Sequence, residues 1–559
     1  MKYSRPLFVF IISIIYFCMY SMSSVMHETF LINNYNTMIA EDKVLLHTLL
    51  YGLESFQRAF IILFVLTIHR YVFALFVPFL FVCSASASYF IYYFKIQITP
   101  YIMAAFFEAT NNEIASFMNL QLILWCAFAL VLSLIFVWIF FKYDKKDTNR
   151  KRNNIFVFFT GIFALCVIVL PGHAKNTQYM PFDFLKSTYK YTINKYIKVL
   201  CDDISKIPAT ANEEDLVVVM IIGESTRGDH FSLNGYERET NPNLKKIEHL
   251  INFTNAGSCH NLTGVSVPCM LTRAIKSNKE AIYEETSAIS VFRKLGFKTF
   301  WIDNQGLRNT IVLSSISDLI QEAEVAISSN RISEGLGKSE KLYGDEKLLP
   351  ILDGILAQQD KDKNNTLVIL HTMGNHWQYD HTYNPRYKVW SPTCKPSKEN
   401  YDPDREVKCD TGVLLNSCIA ANNMALCSKD ELINSYDNSI LQTDAFVSEV
   451  IKRLEDKKAF VVYSSDHGES LGEDGFYLHG QGSDHFFRPE QFHIPMLIWA
   501  SEEYRKNNPE KYENIKATAD KRVEHDVLFH TLLGCSNIET ELVNNELNLC
   551  SNEANLPDK

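Results

Sequence analysis

The chain has 559 residues, 47% of them hydrophobic, and a formal net charge of −10. That length exceeds one small domain, and the acidic balance argues against nucleic-acid binding, which draws on clustered positive charge. The apolar residues are unevenly spread, dividing the chain near residue 175 into a membrane part and a soluble part.

Apolar stretches at 7–26, 46–68, 71–94, 120–141 and 155–171 each approach the roughly 20 residues that cross a bilayer. Glu54 and Arg58 interrupt the second, so a shorter span preceded by an interfacial helix is the alternative there. Lys2 and Arg5 precede the first, but no small-residue cleavage site follows and further spans do; it reads as an uncleaved signal anchor. Basic residues fall at the N-terminus and in the fourth connection, at Lys142, Lys145, Lys146, Arg150, Lys151 and Arg152, leaving little beyond Lys43 and Lys95 on the other side. The positive-inside rule then keeps the N-terminus in the cytoplasm and, after five crossings, puts everything beyond Pro171 outside it. A membrane domain over 1–172 is followed by a linker over 173–210. Its Lys186, Lys190, Lys195 and Lys198 lie among Tyr189, Tyr191, Ile193, Tyr196 and Ile197, as in a helix lying among lipid headgroups; a solvated connector is the alternative.

Residues 211–559 suffice for one large α/β domain. Strand-like runs at 217–222, 299–302, 366–370, 460–464 and 495–499 alternate with helical patterns at 287–295, 345–358 and 429–454. This alternation predicts a mainly parallel sheet covered by helices on both faces. Eight cysteines lie beyond Cys201: Cys259, Cys269, Cys394, Cys409, Cys418, Cys427, Cys535 and Cys550. An even number without a Cys-x-x-Cys pair favours disulfides in an oxidising compartment over a thiolate zinc site.

Two of the apolar runs end on metal-ligand chemistry. Val217 to Gly223 leads into Glu224, and Ala459 to Ser465 leads into Asp466-His467. Either exit alone is equally an ordinary polar strand end. Together they argue for a site, because ligands collect beyond the carboxyl ends of parallel strands and two carboxylates with an imidazole suit zinc. His371 ends a third run, His376 follows it, and His479 lies in a short loop beyond Asp466. A hydroxyl nucleophile activated by a metal could be Ser225, Thr226, Thr263 or Ser266. Thr263 lies between Cys259 and Cys269, where a disulfide would make a stiff loop suited to in-line attack.

The segments Gly223-Glu224-Ser225-Thr226-Arg227-Gly228-Asp229-His230, Asn234-Gly235-Tyr236-Glu237-Arg238-Glu239-Thr240-Asn241-Pro242-Asn243-Leu244, Asn434-Ser435-Tyr436-Asp437-Asn438-Ser439, Ser465-Asp466-His467-Gly468-Glu469-Ser470 and Tyr477-Leu478-His479-Gly480, with Thr263 between its cysteines, resemble the bacterial phosphoethanolamine transferases. The likeness extends to the lipid A enzymes and the mobile colistin-resistance type. It implies five membrane helices and a C-terminal periplasmic domain of alkaline-phosphatase/sulfatase-like α/β fold over 211–559, in a multi-pass protein of the bacterial inner membrane acting as a monomer. It implies Thr263 as the nucleophile that carries phosphoethanolamine taken from phosphatidylethanolamine. Glu224, Thr263, Asp466 and His467 match the ligands of a tightly bound zinc ion. His376 and His479 match residues on the transferred phosphate or a second zinc, and His371 opens the same His-x-x-x-x-His pattern.

The chain departs from the family in three places. Glu113, which matches a donor-holding glutamate between the third and fourth spans, is preceded by Ala105 and Ala109 instead of Asn and Thr. The usual His-Gly-Pro is His376-Trp377-Gln378, followed by a longer 379–387 segment. An insertion bearing Cys409 and Cys418 separates Cys394 from Cys427. Nested pairs Cys394–Cys427 and Cys409–Cys418 are expected beside Cys259–Cys269 and Cys535–Cys550, with other connectivities open. Lipid A phosphate is the leading acceptor. Lipopolysaccharide core sugar or another envelope glycan is the alternative, and a phosphoglycerol transferase or sulfatase-like enzyme the more distant one.

Overall fold

The structure is a computed structural model. It describes residues 5–22, 25, 44–94, 98, 103, 107, 120–144, 182–198, 202–279, 281–305, 315–329, 342–377, 379–394, 427–473, 477–480 and 488–558. Glu113, Cys409, Cys418 and the expected span at 155–171 lie outside these residues.

In the first part, α1 (Arg5–Tyr16, continued by a π-helical turn Phe17–Ser21), α2 (Val44–Leu66), α3 (Arg70–Phe94) and α4 (Leu120–Asp144) pack together. Three helices are long and apolar enough to cross a membrane, at Thr48–Leu66, Arg70–Tyr92 and Leu120–Lys142. The five expected spans are thus matched by three among the described residues. α1 with its π turn is shorter, and the fifth falls outside. The stretch containing Glu54 and Arg58 is one continuous helix, α2.

Neighbouring contacts set the directions of these helices. Phe8 packs near Phe73, and Tyr16 bonds Ser84, so α1 and α3 run in parallel. Phe140 packs against Phe73 while Trp125 Nε1 donates to Ser88, so α4 runs the other way. A buried ion pair between Arg5 and Asp144, 2.8 Å long, closes one end of the bundle. At the other end, α5 (Phe182–Lys198) packs Phe184 and Tyr191 on Ala87, Ile91, Ile98 and Met103, and Ser187 donates to the Ile98 carbonyl.

The α/β part is built on an eight-stranded mixed sheet. In chain order the strands are β1 (Ala209–Ala211), β2 (Val217–Gly223), β3 (Ile251–Gly257), β4 (Lys298–Asp303), β5 (Val325–Ser328), β6 (Thr366–His371), β7 (Ala459–Ser465), β8 (Ser470–Leu471), β9 (Tyr477–Leu478), β10 (His493–Ala500), β11 (Val523–Glu524) and β12 (Ile538–Thr540). The sheet order is β11-β3-β10-β7-β2-β6-β4-β5, with β1–β12 and β8–β9 as separate pairs. The expected parallel arrangement holds from β7 through β5, and β10 runs antiparallel to both β3 and β7.

Alternation of side chains across the central strands divides the core into two layers. Val218, Met220 and Ile222 of β2 face one layer with α6 (Thr263–Leu271), α7 (Ala288–Lys294) and α10 (Asp526–Cys535). Val217, Val219 and Ile221 face the other with α8 (Leu349–Asp362) and α9 (Lys429–Lys452). All seven residues of β2 and of β7 are buried, so the apolar runs fix two adjacent strands whose ends stand side by side. Disulfides join Cys259 to Cys269, Cys394 to Cys427 and Cys535 to Cys550.

Candidate metal centre

The register of β2 against β7 pairs Gly223 with Ser465. The next residues, Glu224 and Asp466-His467, therefore leave the sheet at one point. Thr263 opens α6 above them. Its Oγ1 lies 3.4 Å from Glu224 Oε2 and 3.2 Å from His467 Nε2. His467 Nε2 is also 3.6 Å from Glu224 Oε1 and 3.3 Å from Asp466 Oδ2. His467 Nδ1 donates to the Gly468 carbonyl at 2.8 Å, which leaves the Nε2 lone pair facing Thr263 and both carboxylates.

His479 completes the cluster. Its ring lies 4.0 Å from that of His467, and Glu469 Oε2 is 3.1 Å from its Nδ1. Glu224, His467 and His479 present ligand atoms all within 4.8 Å of one another. His376 stands at the rim, its ring 6.2 Å from that of His479. His371 does not join them. It is buried against Trp301, and its Nδ1 donates to Asp303 at 2.8 Å.

The electrostatics are those of a cation site. Burial and the adjacent Glu224 carboxylate push Asp466 well above the usual carboxylate range. Burial acts the same way on Glu224, but His467, His376 and His479 outweigh it and hold Glu224 down to about 2. Burial and His479 push His467 down to about 4, which keeps it neutral. Asp466 Oδ2 is buried without a hydrogen-bond partner, and such an atom is costly unless something compensates it. Two close buried carboxylates, a neutral imidazole and an unsatisfied oxygen suit a divalent cation.

Several supporting roles, and Gln305 and Gly374 altogether, escaped the sequence reading. Gln305, two residues past β4, donates from Nε2 to Glu224 Oε2 at 2.7 Å and to the Thr372 carbonyl at 3.0 Å. Ser225, at φ 56°, turns its hydroxyl back to Glu224 Oε1 at 2.7 Å. Gly374 has φ +44°, and a Cβ there would meet the Glu224 backbone at 2.8 Å, so the chain needs glycine to pass this close. Tyr436 of α9 donates to the Ser225 carbonyl and accepts from Arg227 N–H. The 229–244 segment is held in turn by Asp437, which His230, Tyr236 and Arg238 contact, and by Asp444, which caps Asn243 and Leu244. Its polar residues thus serve as a brace behind the Glu224 loop. In the sequence these segments carried the family resemblance, but not this bracing role.

A family model described as Sulfatase matches residues 217–538, and one described as Phosphoethanolamine transferase EptA/EptB matches residues 57–196. The Kdo(2)-lipid A phosphoethanolamine 7''-transferase of Escherichia coli (strain K12) is 28% identical over 499 residues, covering 81% of this chain and 80% of its own length. Phosphatidylethanolamine transferase Mcr-1 of Escherichia coli is 30% identical over 339 residues, covering 58% of this chain and 54% of its own. The integral membrane lipooligosaccharide phosphoethanolamine transferase A from Neisseria meningitidis shares the fold, with TM-score 0.73 over 97% of this chain and 98% of its own at 22% identity. With a sulfatase-family match over the sheet that carries the site, and a transferase-family match over the membrane helices, the chain belongs to the bacterial phosphoethanolamine transferases.

Proposed function

We propose that this chain transfers phosphoethanolamine from phosphatidylethanolamine to a phosphate of lipid A through a covalent intermediate on Thr263. The observation that carries the reading is Thr263 Oγ1 at 3.2 Å from His467 Nε2 and 3.4 Å from Glu224 Oε2, on the only hydroxyl among the four sequence candidates that faces both groups. A lipid A-containing acceptor is supported by the Escherichia coli relative, a Kdo(2)-lipid A phosphoethanolamine 7''-transferase; the phosphate as the accepting group is our own inference.

Glu224, Asp466, His467 and Thr263 would hold zinc, and His376 with His479 would meet the transferred phosphate or a second ion. When bound, zinc lowers the pKa of a coordinated hydroxyl and polarises a phosphoryl oxygen. The rest is the work of the chain. The N-terminal turn of α6 fixes Thr263 Oγ1 for attack on the donor phosphorus. As that bond forms, Thr263 gives up its hydroxyl proton to solvent, the bond to the diacylglycerol oxygen breaks, and His376 or His479 supplies that oxygen's proton. Glu469 orients His479 for this by its contact with Nδ1. An acceptor phosphate oxygen then attacks the same phosphorus and releases Thr263, which regains a proton.

The two ends of the bundle support the membrane arrangement. Asp144 lies at the Arg5 end and α5 at the Ala87–Ile91 end. The described residues stop with Asp144 at one end and resume with Phe182 toward the other, consistent with the expected five spans. With the basic N-terminus in the cytoplasm, the 211–559 domain is periplasmic on the inner membrane, and both lipid substrates reach it from the bilayer.

The test is mass spectrometry of lipid A and core oligosaccharide, separately, from a Gram-negative host lacking its own transferases. Wild type should add phosphoethanolamine to lipid A, and Thr263→Ala should not. Addition to core alone would move the acceptor. Addition to neither, from inserted zinc-loaded protein, would refute the reading.

A further inference from the structure

His525 lies outside every motif discussed above, yet it is 1% exposed directly behind the site. It precedes α10, and its ring touches two separate parts of the centre. Nε2 is 2.9 Å from the Ser465 carbonyl, the last residue of β7 before Asp466-His467. That carbonyl only accepts, so Nε2 carries the hydrogen. Nδ1 is then an acceptor. It accepts from Cys259 N–H at 3.3 Å and lies 3.1 Å from Ser266 Oγ, and these two residues bracket Thr263 on either side. The Ser266 hydroxyl gives its one hydrogen to the Asp466 carbonyl at 2.5 Å, so the ring's accepted bond is that from Cys259. Burial pushes the ring's basicity down to about 3, consistent with a neutral imidazole that donates at one nitrogen and accepts at the other.

We infer that His525 is a positioning residue, tying the Thr263-bearing loop and helix to the strand exit that carries Asp466 and His467. This rests on the proposal that Thr263 is the nucleophile. The Cys259–Cys269 disulfide stiffens the loop itself, but it makes no link to β7. Beside the Ser266–Asp466 bond, the imidazole supplies a second link, one ring with two hydrogen bonds of opposite sense, which sets the height of Thr263 Oγ1 over the cluster. It touches no reacting atom. Its removal should therefore lower turnover and leave donor binding unchanged, since displacement of a reacting group by about 1 Å costs on the order of 100-fold.

The test compares wild type with His525→Leu, His525→Asn and His525→Gln, each as full-length zinc-loaded protein in detergent, turning over phosphatidylethanolamine and lipid A in mixed micelles. Leu keeps neither tie. Asn keeps an acceptor for Cys259, and Gln a donor for Ser465. The expected result is kcat down about 10- to 100-fold in the Leu variant with KM for the donor within about twofold, and partial recovery in Asn and Gln. Hydrogen exchange followed by mass spectrometry should quicken at Cys259, Val265 and Ser266 in the Leu variant while the rest of β7 and α10 keeps its protection. A folded Leu variant at wild-type kcat, or Asn and Gln falling as far as Leu, overturns the inference. If Leu does not fold, Asn and Gln decide it: wild-type turnover with unchanged exchange in both overturns it. If wild type forms no adduct on Thr263, the proposed function fails, and the exchange pattern alone still accepts or rejects the tie.

Discussion

Gln305→Leu separates a designed ligand environment from a chance cluster of polar groups. Gln305 Nε2 donates 2.7 Å to Glu224 Oε2, and the same nitrogen is held by the Thr372 carbonyl at 3.0 Å. A hydrogen bond to a charged group contributes about 1.5–3 kcal/mol, which is about a 10- to 150-fold change in an equilibrium. That range overlaps the ~10- to 100-fold loss of metal affinity typical when a group orienting a ligand is removed. Leu has a similar volume, so the loss should appear in zinc affinity rather than in folding. The assay is zinc content of detergent-purified protein titrated against a chelator, with melting recorded in parallel. The expectation is zinc affinity about 10- to 100-fold weaker at a melting midpoint close to wild type. Unchanged affinity would refute the claim that Gln305 sets the Glu224 carboxylate for a metal.

Three further outcomes follow from the geometry. His371→Leu strands the buried Asp303 carboxylate and should cost about 1–3 kcal/mol of stability while turnover per folded molecule stays within about threefold; a 100-fold loss of turnover at full stability would put His371 in the site. Cys259→Ser with Cys269→Ser opens a loop with sequence separation 10 and should remove about 3 kcal/mol, visible as a lower melting midpoint; an unchanged midpoint contradicts it. Burial, with Arg273 adding to it, pushes His530 down to about 4, so the folded state binds fewer protons than the unfolded state, whose His titrates near 6.5. Its contribution is full above pH 6.5 and fades as pH falls toward 4, roughly 2 kcal/mol between pH 7.5 and 5. His530→Asn, which keeps an acceptor for Asn544 N–H, should flatten that pH dependence of melting, and an identical slope in both proteins would count against it.

The central sheet was legible because β2 and β7 are unbroken apolar runs, and their common exit made Glu224, Asp466 and His467 visible in one dimension. β3 was not, because Asn252, Thr254 and Asn255 interrupt its pattern at the sheet's side. The antiparallel direction of β10 was also hidden, since a buried run such as Ile494 to Ala500 reads the same either way. In the site, His371 opened the same His-x-x-x-x-His pattern as His376 in sequence, but β4 offers it Asp303. Gln305 and His525 owe their importance to partners 81 and 266 residues away, and no local pattern announces such contacts.

The most direct test of the account is peptide mass spectrometry of the purified protein after incubation with phosphatidylethanolamine and no acceptor. The account predicts one phosphoethanolamine adduct, on Thr263, that disappears when lipid A is added. An adduct on Ser225, Thr226 or Ser266, or turnover with no covalent adduct at any time point, would contradict it.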